Sequence, residues 1–197
     1  FGEAQRLLQD SLETLRSQEG GRPSLAMQDT LMFLGAASYL MGRFEEARRA
    51  LKEALRLADA LGDAWAFAMC HSSLGRVESL SGDPQAAQAF FLDSVRLWTN
   101  VGDLRGRAYA LTFLGANSFE LGEQAQAESL LEESLAISRR AGDAFGGATA
   151  LHMLALIAHA RGEYEQARQL YSWSQALYDS IGERGSLAFT VNNAGLT

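Results

Sequence analysis

A spacing of forty residues recurs through the whole sequence and constrains its fold more than any other feature. Glycine keeps this spacing in three columns and alanine in two. Five columns in one register indicate a repeat array, in which each unit packs against its neighbours; such arrays usually bind partners and do not catalyse reactions. The columns are Gly42, Gly82, Gly122 and Gly162; Gly62, Gly102, Gly142 and Gly182; Gly35, Gly75, Gly115 and, after Ala155, Gly195; Ala47, Ala87, Ala127 and Ala167; and Ala68, Ala108, Ala148 and Ala188.

Two kinds of turn divide each unit into two helices. At Gly62-Asp63 and its equivalents, glycine can take the left-handed conformation that ends a helix, and the acid can cap the next helix. In the other turn of the second unit, Asp83 precedes Pro84, which is typical of a helix start with proline at the first helical position. Each unit is therefore predicted to hold two helices of about 17 residues joined by short turns.

One glycine column lies inside the first helix of its unit, where glycine costs about 1 kcal/mol relative to alanine. Gly35, Gly75 and Gly115 share this register, which indicates that neighbouring helices approach too closely for a side chain. Large residues on the second helix are expected to fill the rest of the core. They include Leu51, Phe91, Leu131 and Tyr171.

The order of residues within a unit resembles the tetratricopeptide repeat. Leu31, the pair Leu34-Gly35, Ala47 and Leu51 follow the spacing of that motif, and the third full unit repeats it. The period is longer than usual, and the tryptophan and tyrosine slots of the motif hold other residues. The resemblance implies an all-α solenoid in which antiparallel helix pairs stack into a right-handed superhelix. The predicted division is a partial repeat at 1–22, full repeats at 23–62, 63–102, 103–142 and 143–182, and a first helix alone at 183–197.

The long repeat with its glycine-acid turns is similar to the sensor arrays of LuxR-type and maltose-regulator-like transcription factors and of STAND ATPases. It is also similar to the Leu-Gly-Asn spindle-orientation adaptors, although the asparagine that follows Leu-Gly there is replaced by Ala36, Arg76, Ala116 and Leu156. The favoured interpretation is an interaction or ligand-sensing segment of a larger bacterial regulator that binds an effector, a peptide or another domain of the same polypeptide. The alternative is a constitutive adaptor scaffold that holds a partner helix or peptide.

Composition excludes several classes of function for this segment. The net charge of -7 disfavours direct contact with nucleic acid, because a phosphate backbone requires clustered Lys and Arg. Charged residues or glycine interrupt every apolar run, so no membrane span is expected. The single cysteine, Cys70, fits a reducing cytoplasm.

The two ends of the sequence fall within repeats, so we expect a piece of a longer protein. Apolar residues at these ends would otherwise be covered by a neighbouring repeat, and we expect the open ends to self-associate. These residues are Leu7, Leu8 and Leu12 at one end and Phe189 and Val191 at the other.

No constellation of catalytic residues is found, and we expect neither an enzyme nor a cofactor. His152 and His159 lie seven residues apart on one predicted helix, about 10 Å along its axis, which is too far for both to bind one metal ion. His71 is interpreted as a core residue and Cys70 as a small packing residue.

The resemblance implies that the first helices line a concave groove. The inward stripe is expected to lie about 100° from the packing stripe, and it is rich in aromatic residues and methionine and poor in charge, as binding surfaces are. As an alternative, Trp65, Phe145 and Phe189 could pack on the adjacent first helix, and Tyr39, Tyr109 and Phe119 could be structural. The candidate residues are Met32, Tyr39, Trp65, Met69, Ser72, Arg76, Tyr109, Thr112, Phe119, Phe145, His152, His159, Phe189 and Asn192.

The charge of the chain generates a first prediction. Because a net charge of -7 repels phosphate, the chain is expected to show no submicromolar affinity for duplex DNA at physiological salt. Fluorescence anisotropy with labelled DNA measures this directly. Tight binding that weakens as salt is raised would contradict the prediction.

Overall fold

The computed structural model describes residues 2–18, 20 and 22–183, and all the regular secondary structure in these residues is helical. This confirms the predicted all-α class. The helices within the described residues are α1 (Gly2–Gln18), α2 (Leu25–Leu40), α3 (Phe44–Leu61), α4 (Ala64–Leu80), α5 (Pro84–Val101), α6 (Leu104–Glu120), α7 (Gln124–Ala141), α8 (Ala144–Ala160) and α9 (Tyr164–Ser180). The first helix predicted within 183–197, with Phe189, Val191 and Asn192, lies outside the described residues.

The chain divides into two compact units, Phe1–Val101 and Gly102–Thr197. In unit 1, each helix from α1 to α5 packs against the next, and α2 also contacts α4. In unit 2, α6 to α9 pack in the same order, and α6 contacts α8. We call α2, α4, α6 and α8 the first helices, because each opens a helix pair, and α3, α5, α7 and α9 the second helices.

The turns between helix pairs have the geometry that the glycine-acid pairs predicted. Gly62 ends α3 at φ 68° and Gly142 ends α7 at φ 63°, both in the left-handed region that only glycine adopts without strain. The next residue then caps the following helix: the Asp63 carboxylate accepts from the backbone N–H of Ala66 at 3.0 Å. Because these turns are short, α4 lies directly against α3 in unit 1, and α8 lies directly against α7 in unit 2.

The glycine column inside α2, α4 and α6 marks a close contact with the second helix of each of these pairs. A Cβ on Gly75 would lie 2.6 Å from the ring of Phe91, and one on Gly115 would lie 2.8 Å from Cγ of Leu131 and 3.2 Å from the carbonyl oxygen of Ala127. The space is therefore used by a large side chain of the second helix, which fills the notch that the glycine leaves. The glycines do lie at close contacts between helices, but the expectation that the two backbones meet there is corrected: the nearest atoms at Gly75 belong to the Phe91 side chain, and at Gly115 a backbone oxygen is near but the Leu131 side chain is nearer.

Small hydroxyl residues form a second, polar contact between the helices of a pair. Ser72 lies 2.5 Å from Ser94 and also accepts a hydrogen bond from the indole N–H of Trp98 at 3.1 Å. In unit 2, Thr112 and Ser134 hydroxyls lie 2.7 Å apart. All five side chains are buried, so these hydrogen bonds satisfy polar groups that would be costly to leave unpaired.

The packing at the glycine column can be isolated with two substitutions in unit 2. The first, Gly115→Ala, places a methyl group against Leu131. The second, Gly147→Ala, is also in a helix, but the atom nearest to its new Cβ is 3.4 Å away. Both variants gain the same helix propensity. The difference between their free energies of unfolding therefore measures the steric cost alone, and we expect Gly115→Ala to be less stable by about 1–3 kcal/mol. Denaturant titrations that give equal stabilities would remove the close-packing explanation.

Candidate functional site

The first helices of unit 2 present an apolar, aromatic surface. We define the first-helix face of unit 2 as Tyr109, Phe113 and Phe119 on α6 and Phe145, Met153 and His159 on α8. Their side chains are partly or substantially exposed, whereas the neighbouring positions toward α7 and α9 are buried. Because α6 and α8 contact each other, the two sets of residues lie on adjacent helices.

Aromatic contacts fix the position of several side chains on this face. Tyr109 and Phe113 are four residues apart on α6, hence on one side of the helix, and their ring centroids lie 4.6 Å apart at an interplanar angle of 65°. Phe119 and Met153 pack partly against the core cluster of unit 2. The rings are thereby held in place with part of each surface open to solvent, which lowers the entropy cost of binding a ligand.

The first-helix face of unit 1 has a different chemistry. We define it as Met32, Phe33 and Tyr39 on α2 and Trp65, Met69 and Arg76 on α4. The Arg76 guanidinium lies 4.6 Å from the centroid of the Tyr39 ring and donates a hydrogen bond to the Tyr39 hydroxyl. This cation–π pair links α2 to α4 and places a positive charge beside an aromatic ring.

Two of the candidate aromatic residues pack at the start of their helices. Trp65 makes an edge contact with Trp98 at 5.6 Å, and Phe145 makes one with Tyr178 at 5.8 Å. Both partners lie on the second helix of the same pair, and not on the adjacent first helix that the alternative interpretation named. Trp65 remains 46% exposed and Phe145 47% exposed, so the packing leaves roughly half of each side chain available.

Three candidate residues occupy a different position from the one predicted. The sequence predicts Ser72, Thr112 and His152 on the open stripe, but all three are buried between the helices of their pair. The open stripe passes through the next residue in each first helix, where Phe113 and Met153 are partly exposed. The serines of the second helices explain the shift, because the buried hydroxyls of Ser72 and Thr112 pair with them.

Sequence reasoning therefore missed Phe33, Phe113 and Met153. Spacing alone would have found Phe113, since Tyr109 and Phe113 are four residues apart and an aromatic pair at this spacing shares one helix side. Phe33, Phe113 and Met153 are spaced by multiples of forty residues, and Ser73, which is partly exposed in unit 1, lies in the same column.

Packing against neighbouring side chains accounts for the positions of His71, Cys70 and His152. His71 lies between Phe67 and Phe90, with its Nδ1 2.9 Å from the carbonyl oxygen of Phe67. Burial raises the pKa of the Cys70 thiol to about 12, so the thiol stays protonated at neutral pH. His152 lies 5.4 Å from the ring of Tyr171, and its burial lowers its pKa below the ordinary value of 6.5.

Within the described part of the chain, no three His, Cys, Asp or Glu side chains are grouped so that they could hold a metal ion. Likewise, none of the described helices is both long enough and apolar enough to cross a bilayer. The candidate residues Phe189 and Asn192 lie outside the described residues.

A helical repeat array with exposed aromatic first helices defines a protein-interaction domain. Residues 27–100 and 106–180 match the tetratricopeptide repeat family, and because these segments make up most of the chain, the protein belongs to that family. Comparison with curated proteins finds no match.

Solved structures share the fold at low sequence identity. BtubC (BKLC) from P. vanneervenii is 16% identical with a TM-score of 0.74, over 98% of this chain and 89% of that one. A STAND signal transduction ATPase with a tetratricopeptide repeat sensor, from Pyrococcus horikoshii, is 18% identical with a TM-score of 0.75, over 95% of this chain and 30% of that one. A Rap protein complexed with Competence and Sporulation Factor is 16% identical with a TM-score of 0.79, over 94% of this chain and 52% of that one. These likenesses confirm the tetratricopeptide fold.

The burial of His152 predicts a pH dependence of stability. Because the folded pKa is lowered, the unfolded chain takes up a proton near pH 6.5 while native His152 stays neutral. The contribution of neutral His152 to the free energy of unfolding is therefore complete above pH 6.5, and it is lost as the pH falls from 6.5 toward the folded pKa. His152→Thr, which installs the residue found at Thr112, should lose less stability between pH 7.5 and pH 5 than the parent chain. Equal losses in urea titrations would show that His152 does not contribute.

Proposed function

We propose that this chain is a ligand-sensing and protein-interaction segment of a larger bacterial transcriptional regulator of the LuxR or STAND type. Its first helices bind an effector, a peptide or another domain of the same polypeptide. The proposal includes a cytoplasmic location and no direct contact with nucleic acid. Two proteins of similar fold support it: one is a STAND signal transduction ATPase with a tetratricopeptide repeat sensor, and the other is a Rap protein complexed with Competence and Sporulation Factor.

The observation that carries the proposal is the Tyr109–Phe113 pair on the first-helix face of unit 2. Two rings in contact at 4.6 Å, both partly exposed, form a rigid aromatic anchor. Packing inside the repeat does not require aromatic residues here, because the equivalent positions in the next repeat hold Thr149 and Met153. Aromatic anchors with few charges are the usual centre of protein and peptide binding sites.

The composition of this face indicates the kind of ligand that it would bind. Phe145 and Met153 extend the apolar surface onto α8, and His159 supplies a polar ring 5.3 Å from Tyr164. A helix or an extended segment with two or more apolar side chains would cover the aromatic pair and exclude water from it. The first-helix face of unit 1 is described separately: its Arg76 guanidinium can donate to an acidic or carbonyl group.

The proposal can be tested by selecting ligands from a phage-displayed random peptide library on the intact chain. The test variant is Tyr109→Thr with Phe113→Ser, which carries the residues found at Thr149 and Ser73 and should therefore fold normally. We expect the dissociation constant of the selected peptides to rise by at least about tenfold in this variant. Isothermal titration calorimetry measures the affinity, and thermal melting confirms the fold.

A matched control removes an exposed apolar residue on a second helix. Leu92 is 52% exposed on α5, and Leu92→Glu carries the residue found at Glu132. Peptide affinity should be unchanged in this control. If the selected peptides bind the double variant as tightly as the parent chain, the first-helix face of unit 2 is not the binding site. An upstream nucleotide-binding or DNA-binding domain in the full-length protein would favour the regulator over the constitutive adaptor.

A further inference from the structure

A single tryptophan interrupts a column of acidic residues on α1 and the second helices. At the forty-residue spacing, the residues are Glu13, Glu53, Asp93 and Glu133, and the next is Trp173 on α9. Trp173 is 49% exposed. About half of this large apolar side chain is therefore in contact with water.

The repeat fold does not require an apolar residue at this position. The acidic members of the column face solvent and pair with arginine: Glu53 lies 2.6 Å from Arg16 and is 31% exposed, and Asp93 lies 3.2 Å from Arg96 and is 52% exposed. Glu53 reaches Arg16 on the preceding α1, and Asp93 pairs within its own helix, so the contacts of the column in unit 1 are polar. By the same register, the stacking of the repeats does not require an apolar side chain at Trp173.

Trp173 lies at the edge of an apolar cleft formed by α7, α8 and α9 within unit 2. The cleft has a volume of about 440 Å³ and is lined by Arg139, Leu151, Trp173, Ala176 and Leu177. This volume is within the range of sites that bind a ligand group. Leu151 is buried and Leu177 is partly buried against the core cluster, so the floor of the cleft is fixed by the packing of the unit.

The charge around the cleft is positive on an otherwise acidic chain. Among the described residues that line it, Arg139 alone is charged, and Arg140 follows it in the last turn of α7. Neither arginine forms an ion pair with a described side chain. Salt screens charges beyond about 8 Å at physiological ionic strength. The local arginines, and not the net charge of -7, therefore decide that the cleft attracts acidic ligands.

We propose that α7 and α9 carry a second docking surface, centred on Trp173 and Arg139, for a partner-protein segment that presents large apolar side chains flanked by acidic residues. The apolar side chain enters the cleft beside the Trp173 indole, and a flanking carboxylate pairs with Arg139. Tryptophan and arginine are the residues most enriched at the energetic centres of interfaces. The surface uses the second helices, so this inference stands independently of the function proposed for the first helices.

The test uses a fluorescein-labelled octapeptide, EELFELEE, as the probe and fluorescence anisotropy as the measurement. We expect saturable binding to the intact chain, and Trp173→Glu should weaken it by at least about tenfold. That variant restores the acidic residue of the column and should therefore melt at the same temperature as the parent chain. Arg139→Thr, which carries the residue found at Thr99, should weaken binding, and raising the salt concentration should do the same.

Three controls separate this surface from the others. The uncharged peptide QQLFQLQQ and the peptide EESSESEE, which lacks the apolar side chains, should each bind more weakly than the probe. The Leu92→Glu variant should bind the probe with unchanged affinity, because Leu92 is exposed on α5 in the other compact unit. The proposal is overturned if the probe shows no saturable binding, if Trp173→Glu leaves the affinity unchanged, if the uncharged peptide binds as well as the probe, or if Leu92→Glu weakens binding as much as Trp173→Glu.

Discussion

The close approach of the two helices in each pair is the contact on which the rest of the structure depends. In the pairs that carry Gly35, Gly75 and Gly115, the glycine of the first helix leaves a notch that a large side chain of the second helix fills, as Leu131 does at Gly115. The contact fixes the rotation of each helix about its axis, because only one residue in a turn can sit so near its neighbour. Once the rotation is set, it also determines which side chains are buried and which remain open for binding.

Much of this arrangement could be predicted from the repeated columns. The glycine-acid turns give both the end of one helix and the cap of the next, and Asp63 and Asp103 cap their helices as the sequence indicates. Local chemistry decides these features, and neighbouring residues in the sequence contain all of it. The close contact at Gly115 could also be predicted from the sequence, because glycine inside a helix has a cost that packing must offset.

The open surface was harder to predict, because one residue separates a buried position from an exposed one. Ser72 and Thr112 are polar and so resemble surface residues, yet they pair with Ser94 and Ser134 of the second helix. A buried hydroxyl becomes favourable only when its partner is present, and that partner is 22 residues away in the sequence. The half-burial of Trp65 on Trp98 has the same origin, since both rings are needed for the contact.

Comparison of the repeats distinguishes positions that stacking requires from positions that are available for binding. Alanine at Ala47, Ala87, Ala127 and Ala167 is fully buried in every repeat, because each helix pair needs the same small residue there. Positions free of that requirement differ: Tyr109 is followed at the same register by Thr149, and Glu133 by Trp173. A large aromatic residue at a position that stacking leaves unconstrained keeps apolar area in contact with solvent, and a bound partner would remove that area from water. On the two proposals made above, the aromatic departures would mark two binding surfaces, one on the first helices and one on the second helices.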